Sequence, residues 1–166
     1  MLERTKIHQP TELFTHQLGA ALTMENTVLE MLGKLQEEAQ SSELEQQLRH
    51  HEQETQQQIQ NLHRAFEALG EQVDESPCPA IEGIEKGGES NLKLTEDTLN
   101  DDVILAGAAE TEHHEIAVYE NLIIQAEAMG HDDVVALLRE NIEQEEHTLK
   151  EVQQLTRQRA KQAVAH

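Results

Sequence analysis

The sequence predicts an all-α protein, a four-helix bundle built from two antiparallel hairpins joined by a long crossover. Three observations carry that expectation. Four long segments repeat apolar residues at i, i+3 and i+4, the period of a helix with one buried face. The apolar content is Leu, Ile, Val and Ala mixed with Glu and Gln, which are good helix formers, and the only aromatics are Phe14, Phe66 and Tyr119. Most of the Gly and Pro residues gather between 70 and 100.

The first helical segment should open at Pro10, a favoured first-turn residue, and run to about residue 40, with the stripe Phe14, Leu18, Ala21, Glu25, Val28, Leu32. Ser42-Glu43-Leu44-Glu45 reads as a capping box for the second, over 43–69. Its stripe is Leu44, Leu48, His51, Thr55, Ile59, Leu62, Phe66, Leu69, closed by Gly70 as a C-terminal cap. Residues 70–100 hold Pro77, Pro79, Gly83, Gly87 and Gly88, with room for at most a short helix around 80–85. Asp101 is the expected cap of the third segment (101–129), whose stripe is Leu105, Ala108, Glu112, Ile116, Tyr119, Ile123. After Gly130, Asp132 should cap the fourth (133–160), with Val135, Leu138, Ile142, Glu145, Leu149, Val152. Neither hairpin can bury both faces alone, so all 166 residues are expected to form one domain. Two hairpins with one long crossover is the ferritin-like variant of the four-helix bundle.

With 12 basic against 33 acidic residues the formal charge is −21. Nucleic-acid binding needs a basic footprint, and only the tail Arg157, Arg159, Lys161 offers one. An anionic membrane surface is disfavoured for the same reason. Cys78 stands alone, which excludes an internal disulfide and a thiolate cluster. The longest apolar stretch, 103–109, is too short to span a bilayer, and no basic-then-apolar leader is seen, so a cytoplasmic protein is the expectation.

Each stripe is broken by a group that a core resists. Glu25, Glu112, Glu145 and His51 each lie about 20° from an apolar residue at the centre of their own stripe. Glu54 and Glu115, three residues beyond His51 and Glu112, lie about 80° from the same references, at the stripe edge. Depth agrees with phase. Counted from the turn near residue 40, Glu25 and Glu54 are about 15 and 14 residues away; counted from the turn near 131, Glu115 and Glu145 are about 16 and 14. Partners within a hairpin are therefore level to about 3 Å. One Glu in a stripe is ordinarily a half-exposed edge residue, but four stripes broken at one level are not four accidents. Five carboxylates there require a cation or raised pKa values. Oxygen ligands with one imidazole suit Fe(II), Mn(II) or Zn(II). His50, Glu143 and Glu146 are the nearest rivals, His113 and Thr55 are expected beside the ligands, and Tyr119 is either a ligand's hydrogen-bond partner, a redox participant or a core aromatic.

The residues that carry this pattern also resemble the YciE/YciF group of ferritin-like proteins along nearly the full chain. The matching stretches are His51-Glu52-Gln53-Glu54-Thr55, Cys78-Pro79-Ala80-Ile81-Glu82-Gly83, Glu112-His113-His114-Glu115-Ile116-Ala117-Val118-Tyr119 and Ile142 to Glu145. The third is the most specific, with His114 where the group has Tyr. Gly87 stands where the group usually has Glu, and Leu149 where Asp is frequent. The resemblance implies a homodimer, a link to stress responses and a rubrerythrin-like dinuclear site, with Glu25, His51, Glu54, Glu112, Glu115 and Glu145 as ligands.

The expectation is thus a two-iron site, with Mn or Zn as substitutes, that meets O2 or peroxide in a ferroxidase- or peroxidase-like reaction. In it His51 is a terminal ligand, Glu25 and Glu145 are terminal or bridging, Glu54 and Glu115 bridge, and Glu112 is auxiliary. Two alternatives compete: a metal-binding stress protein without turnover, and a plain helical interaction module.

Overall fold

Pro10 starts the first helix with its missing N–H where none is needed. Glu12 folds back to accept the backbone N–H groups of His8 (2.9 Å) and Gln9 (3.2 Å). The computed structural model describes residues 6–165, and among these it is all-helical with no strand. The helices are α1 (Pro10–Glu38), α2 (Ser42–Ala68), α3 (Pro79–Leu94), α4 (Asn100–Ala128) and α5 (Asp132–Ala163), with a single 3-10 turn at Asp97–Leu99 before α4. None is long and apolar enough to cross a membrane.

The connections explain the pairing. Only three residues separate α1 from α2 and three separate α4 from α5, so each pair must fold back antiparallel. Gly70 (φ 68°) and Gly130 (φ 73°) turn the chain out of α2 and α4 in the left-handed region, where a side chain would be strained. α1 packs on α2 and α4, and α5 on the same two helices, which closes a ring; α3 packs against α4 and, less extensively, α1.

Several local expectations are corrected. The crossover holds a 16-residue helix and not a short one around 80–85. Gly83, Gly87 and Gly88 read as breakers, but each costs a helix only about 1 kcal/mol against Ala. Burial of Ile81 and packing of Ile84 and Leu92 against the core offset that cost. The cap of α2 is Ser41, whose hydroxyl accepts the Leu44 N–H (3.3 Å), one residue ahead of the Ser42 box. Asp101 does not cap its own helix. α4 already begins at Asn100, and the Asp101 carboxylate turns to the α1–α2 connection, accepting from Gln40 N (2.7 Å) and Ser41 N (3.0 Å). Asp132 is the first residue inside α5, behind His131.

The core divides along its length. At the end holding Phe14, Leu18, Leu62, Phe66, Leu122 and Leu138 it is wholly apolar, each such side chain contributing about 1.5–3 kcal/mol. In the middle it is polar. Glu25, His51, Thr55, Gln58, Asn61, Glu112, Glu115, Asn141, Glu145 and Thr148 are all buried there.

Candidate metal centre

Four helices deliver one side-chain cluster. One ligand atom each from His51 of α2, Glu112 and Glu115 of α4, and Glu145 of α5 lie within 4.8 Å of one another, all four residues buried. The spacing Glu112–Glu115 puts both carboxylates on one side of α4, less than a turn apart. His51 Nε2 stands 2.9 Å from Glu112 Oε1 and 3.9 Å from Glu145 Oε2. The 2.9 Å approach is a close contact without the alignment of a hydrogen bond, so Nε2 keeps no hydrogen-bond partner.

Glu25 completes the layer from α1. Its Oε1 accepts the Tyr119 hydroxyl, which in turn accepts Asn141 Nδ2 (3.1 Å). Asn141 also donates to the Gln58 carbonyl (3.2 Å) and accepts from Asn61 Nδ2 (2.8 Å). Tyr119 is therefore the hydrogen-bonding partner of Glu25 and not simply a core aromatic. Glu54 differs from the other five. It sits at the rim with its side chain 15% exposed, 3.4 Å from His50 and 3.7 Å from His51 Nδ1, and accepts the Thr148 hydroxyl at 3.3 Å. Thr55 is buried, but its hydroxyl donates to the His51 carbonyl one turn back (2.9 Å), so it braces α2 and does not address a carboxylate. Glu143, Glu146, His50 and His113 are exposed.

The electrostatics of the cluster are those of several acids crowded around one imidazole. Burial pushes Glu25 up to about 7, although the Tyr119 hydrogen bond pulls the other way. Burial, then the charges of Glu145, Glu25 and Glu112, holds Glu115 well above the carboxylate range. Glu145 is raised by burial, Glu112 and Glu25. For His51 burial opposes the charged form, but the neighbouring carboxylates, Glu112 first, overcome it and raise its pKa well above the usual imidazole value. Glu54 is also partly desolvated, yet its contacts with His51, His50 and Thr148 bring it below the ordinary value. Glu25 lies against Glu115, and Glu145 against Glu112, so like charges crowd the layer. As ionised carboxylates they have nothing to donate to each other.

Whether these residues fit a metal can be judged from what they leave unsatisfied. Six buried carboxylate oxygens have no hydrogen-bond partner: both of Glu115, both of Glu145, Oε2 of Glu25 and Oε2 of Glu112. Buried polar atoms are almost always paired, and unpaired ones cost about 1–3 kcal/mol each. Hard oxygens and one imidazole nitrogen, converging and lacking donors, are a donor set for a divalent cation, so the cluster could bind a metal.

Four buried polar residues of this layer are not among those the sequence pattern singles out: Gln58, Asn61, Asn141 and Thr148. Asn61, Asn141 and Thr148 lie on the stripes of α2 and α5. Asn141 and Thr148 flank Glu145 at i−4 and i+3. The signal was the one that revealed the acids, a polar residue at an apolar phase, applied too narrowly to charged groups. Thr148 contacts both His51 Nδ1 (3.4 Å) and Glu54, and so holds the imidazole from its far side.

Comparison with known proteins gives consistent relatives. The profile of a family described as "Domain of unknown function (DUF892)" matches residues 9–165. Protein YciF of Escherichia coli (strain K12) is 29% identical over 139 residues, covering 82% of this chain and 84% of its own. Among solved structures, YcfI of Rhodopseudomonas palustris superposes with a TM-score of 0.87 at 34% identity, over 92% of this chain and 98% of the other. The structure of YciF, described as an E. coli stress protein, gives 0.85 at 26% identity, over 90% and 96%.

Proposed function

The chain belongs to the DUF892 family, and from that membership and the unsatisfied carboxylates we propose that it is a ferritin-like, dinuclear non-haem metal protein using iron. The ring of α1, α2, α5 and α4 is read here as the ferritin-like four-helix arrangement, with the ligands on facing helices at its centre. The observation that carries the proposal is the set of six buried carboxylate oxygens without a donor beside an unpaired imidazole nitrogen. His51, Glu112, Glu115 and Glu145 would hold a first ion, and Glu25, next to Glu115, would offer oxygen to a second; Glu54, at the Nδ1 side of His51, would join only by turning inward from the rim. Iron bound there would supply one-electron chemistry toward O2 or peroxide, the basis of a ferroxidase- or peroxidase-like role.

The chain's own groups have definable tasks in that role. Tyr119 and Asn141 hold Glu25 in one orientation, and Thr148 does the same for His51. Carboxylates with raised pKa values release their protons when a cation arrives, so metal uptake should be coupled to proton release. The likeness to YciF, described as a stress protein, favours a part in a stress response.

Anaerobic loading with Fe(II), followed by metal analysis and by absorbance after O2 or peroxide is admitted, tests this reading. The expected result is about two irons per chain, lost in Glu25→Ala/Glu145→Ala, with ferric absorbance appearing on oxidation. Bound iron that stays ferrous would leave a metal-binding protein without turnover. No bound metal in wild type would overturn the proposal in favour of a helical interaction module.

A further inference from the structure

A cavity of about 490 Å³ opens beside the carboxylate layer, between the apolar walls Val28 and Leu32 of α1, Leu44 and Leu48 of α2, Ile104 of α4 and Val152 of α5. Its volume falls within the about 300–1,000 Å³ typical of small-molecule sites. Its inner end is formed by His51 and Glu112, so the cavity leads from the surface to the cluster. Glu112 Oε2 and His51 Nε2 are themselves enclosed, and Glu112 Oε1, 2.9 Å from that Nε2, is the oxygen left toward the cavity. A well-packed interior does not leave a void of this size, and the lining suggests how it is kept open. Gly88 of α3 and Gly107 of α4 both border it, and a Cβ added at either would meet nothing within 4 Å. Each glycine costs its helix about 1 kcal/mol against Ala without relieving any clash.

The lining also selects the occupant. The walls are mainly aliphatic, with Gln47, Thr111 and Thr148 the polar side chains among them. At the outer, exposed part Glu37, Glu38, Glu85 and Glu89 face Lys34 and Lys93, and Lys34 is already paired with Glu85 (3.2 Å) and Glu89 (3.6 Å). An anionic ligand would enter against that acidic rim. A wholly apolar ligand would leave the Glu112 carboxylate at the inner end without a donor, whereas an O–H group would supply one to Oε1.

We propose that this cavity binds a neutral, mainly apolar small molecule with a single O–H head, an alcohol or an organic hydroperoxide, whose head meets Glu112 beside His51. The assignment goes beyond the metal reading while sharing two of its residues, and it is tested on chelator-treated protein so that the two stand or fall separately. Titration calorimetry with 1-octanol, cumene hydroperoxide, octane and octanoate should give saturable binding of the first two. Octane and octanoate should be weaker by at least about ten-fold, and the tighter of the two O–H ligands identifies the head. Gly107→Leu and Gly88→Leu fill the void. They should keep the wild-type melting temperature or raise it, load Fe(II) as wild type does, and weaken 1-octanol by at least about ten-fold. Absence of saturable 1-octanol binding in wild type, equal binding of octanoate, or undiminished binding by both folded leucine variants would overturn the proposal. Retained 1-octanol binding in a protein that takes up no Fe(II) would remove the metal reading and leave this one intact.

Discussion

Asp101 and Glu145 are both carboxylates buried in the same molecule, and their surroundings are opposite. Asp101, 2% exposed near the end of the bundle, accepts two backbone N–H groups from the α1–α2 connection and lies 3.3 Å from Arg159. Glu145, fully buried at mid-bundle, has no donor on either oxygen. The fold therefore can satisfy a buried acid where one serves only to tie chain segments together. At mid-bundle it instead gathers four acids around a single imidazole. Burial of the charge is common to both sites; the missing donors are what distinguish a site that could take a cation from a structural anchor.

The largest effect that would sharpen this contrast comes from metal itself. At a free Fe(II) or Mn(II) concentration about 1,000 times Kd, anaerobic urea unfolding should show stabilisation of about 4 kcal/mol. Glu115→Gln/Glu145→Gln should abolish that gain and Asp101→Asn should leave it whole. Asp101→Ala comes next: with its backbone donors left unpaired, stability should fall by about 1–3 kcal/mol, equally with and without metal. A metal-dependent loss there would break the comparison. Tyr119→Phe should cost about 1 kcal/mol by removing the hydroxyl that serves Glu25 and Asn141. Because that hydroxyl favours ionised Glu25, the variant should also move the Glu25 titration above its value of about 7, measurable by NMR of the side-chain carboxyl.

The metal-free protein also responds to pH. Glu25 titrates at about 7 in the folded chain against 4.5 for the free group, so the folded state holds the proton more tightly. Its stabilising contribution is complete below pH 4.5 and is lost as pH rises through about 7. Glu115 and Glu145, also raised, extend the loss to higher pH. His51, raised above 6.5, acts in the same direction, contributing in full below 6.5 and losing that contribution above its folded value. The melting temperature of metal-free protein should thus drop by at least about 5 °C between pH 5 and pH 8. Scanning calorimetry showing a rise over that window would mean that the acids are satisfied in some other way.

How much of this was legible in the sequence depends on the element. Helical phase was enough to put Glu25, His51, Glu112 and Glu145 inside, because a stripe fixes direction to within a few tens of degrees. Phase could not separate Glu54 from Glu115, which sit at the same angle on their helices. Packing separates them: α4 is covered by α1, α3 and α5, while α2 meets chiefly α1 and α5. Glu115 is accordingly fully buried and Glu54 is left at a rim. α3 was underread because three glycines outweighed Ile81, Ile84 and Leu92, whose value lies in contacts with α4 and α1 that no local pattern reveals. The Asn61–Asn141–Tyr119 chain was hidden for a related reason, since hydrogen bonds between three helices exist only once the helices meet.

The most direct test is a crystal grown anaerobically with Fe(II) and measured on both sides of the iron absorption edge. Anomalous peaks among His51, Glu112, Glu115, Glu145 and Glu25 are the predicted result. Peaks confined to surface acids, or at Asp101, with the central carboxylates instead bridged by water, would contradict the claim that their missing donors mark a metal centre.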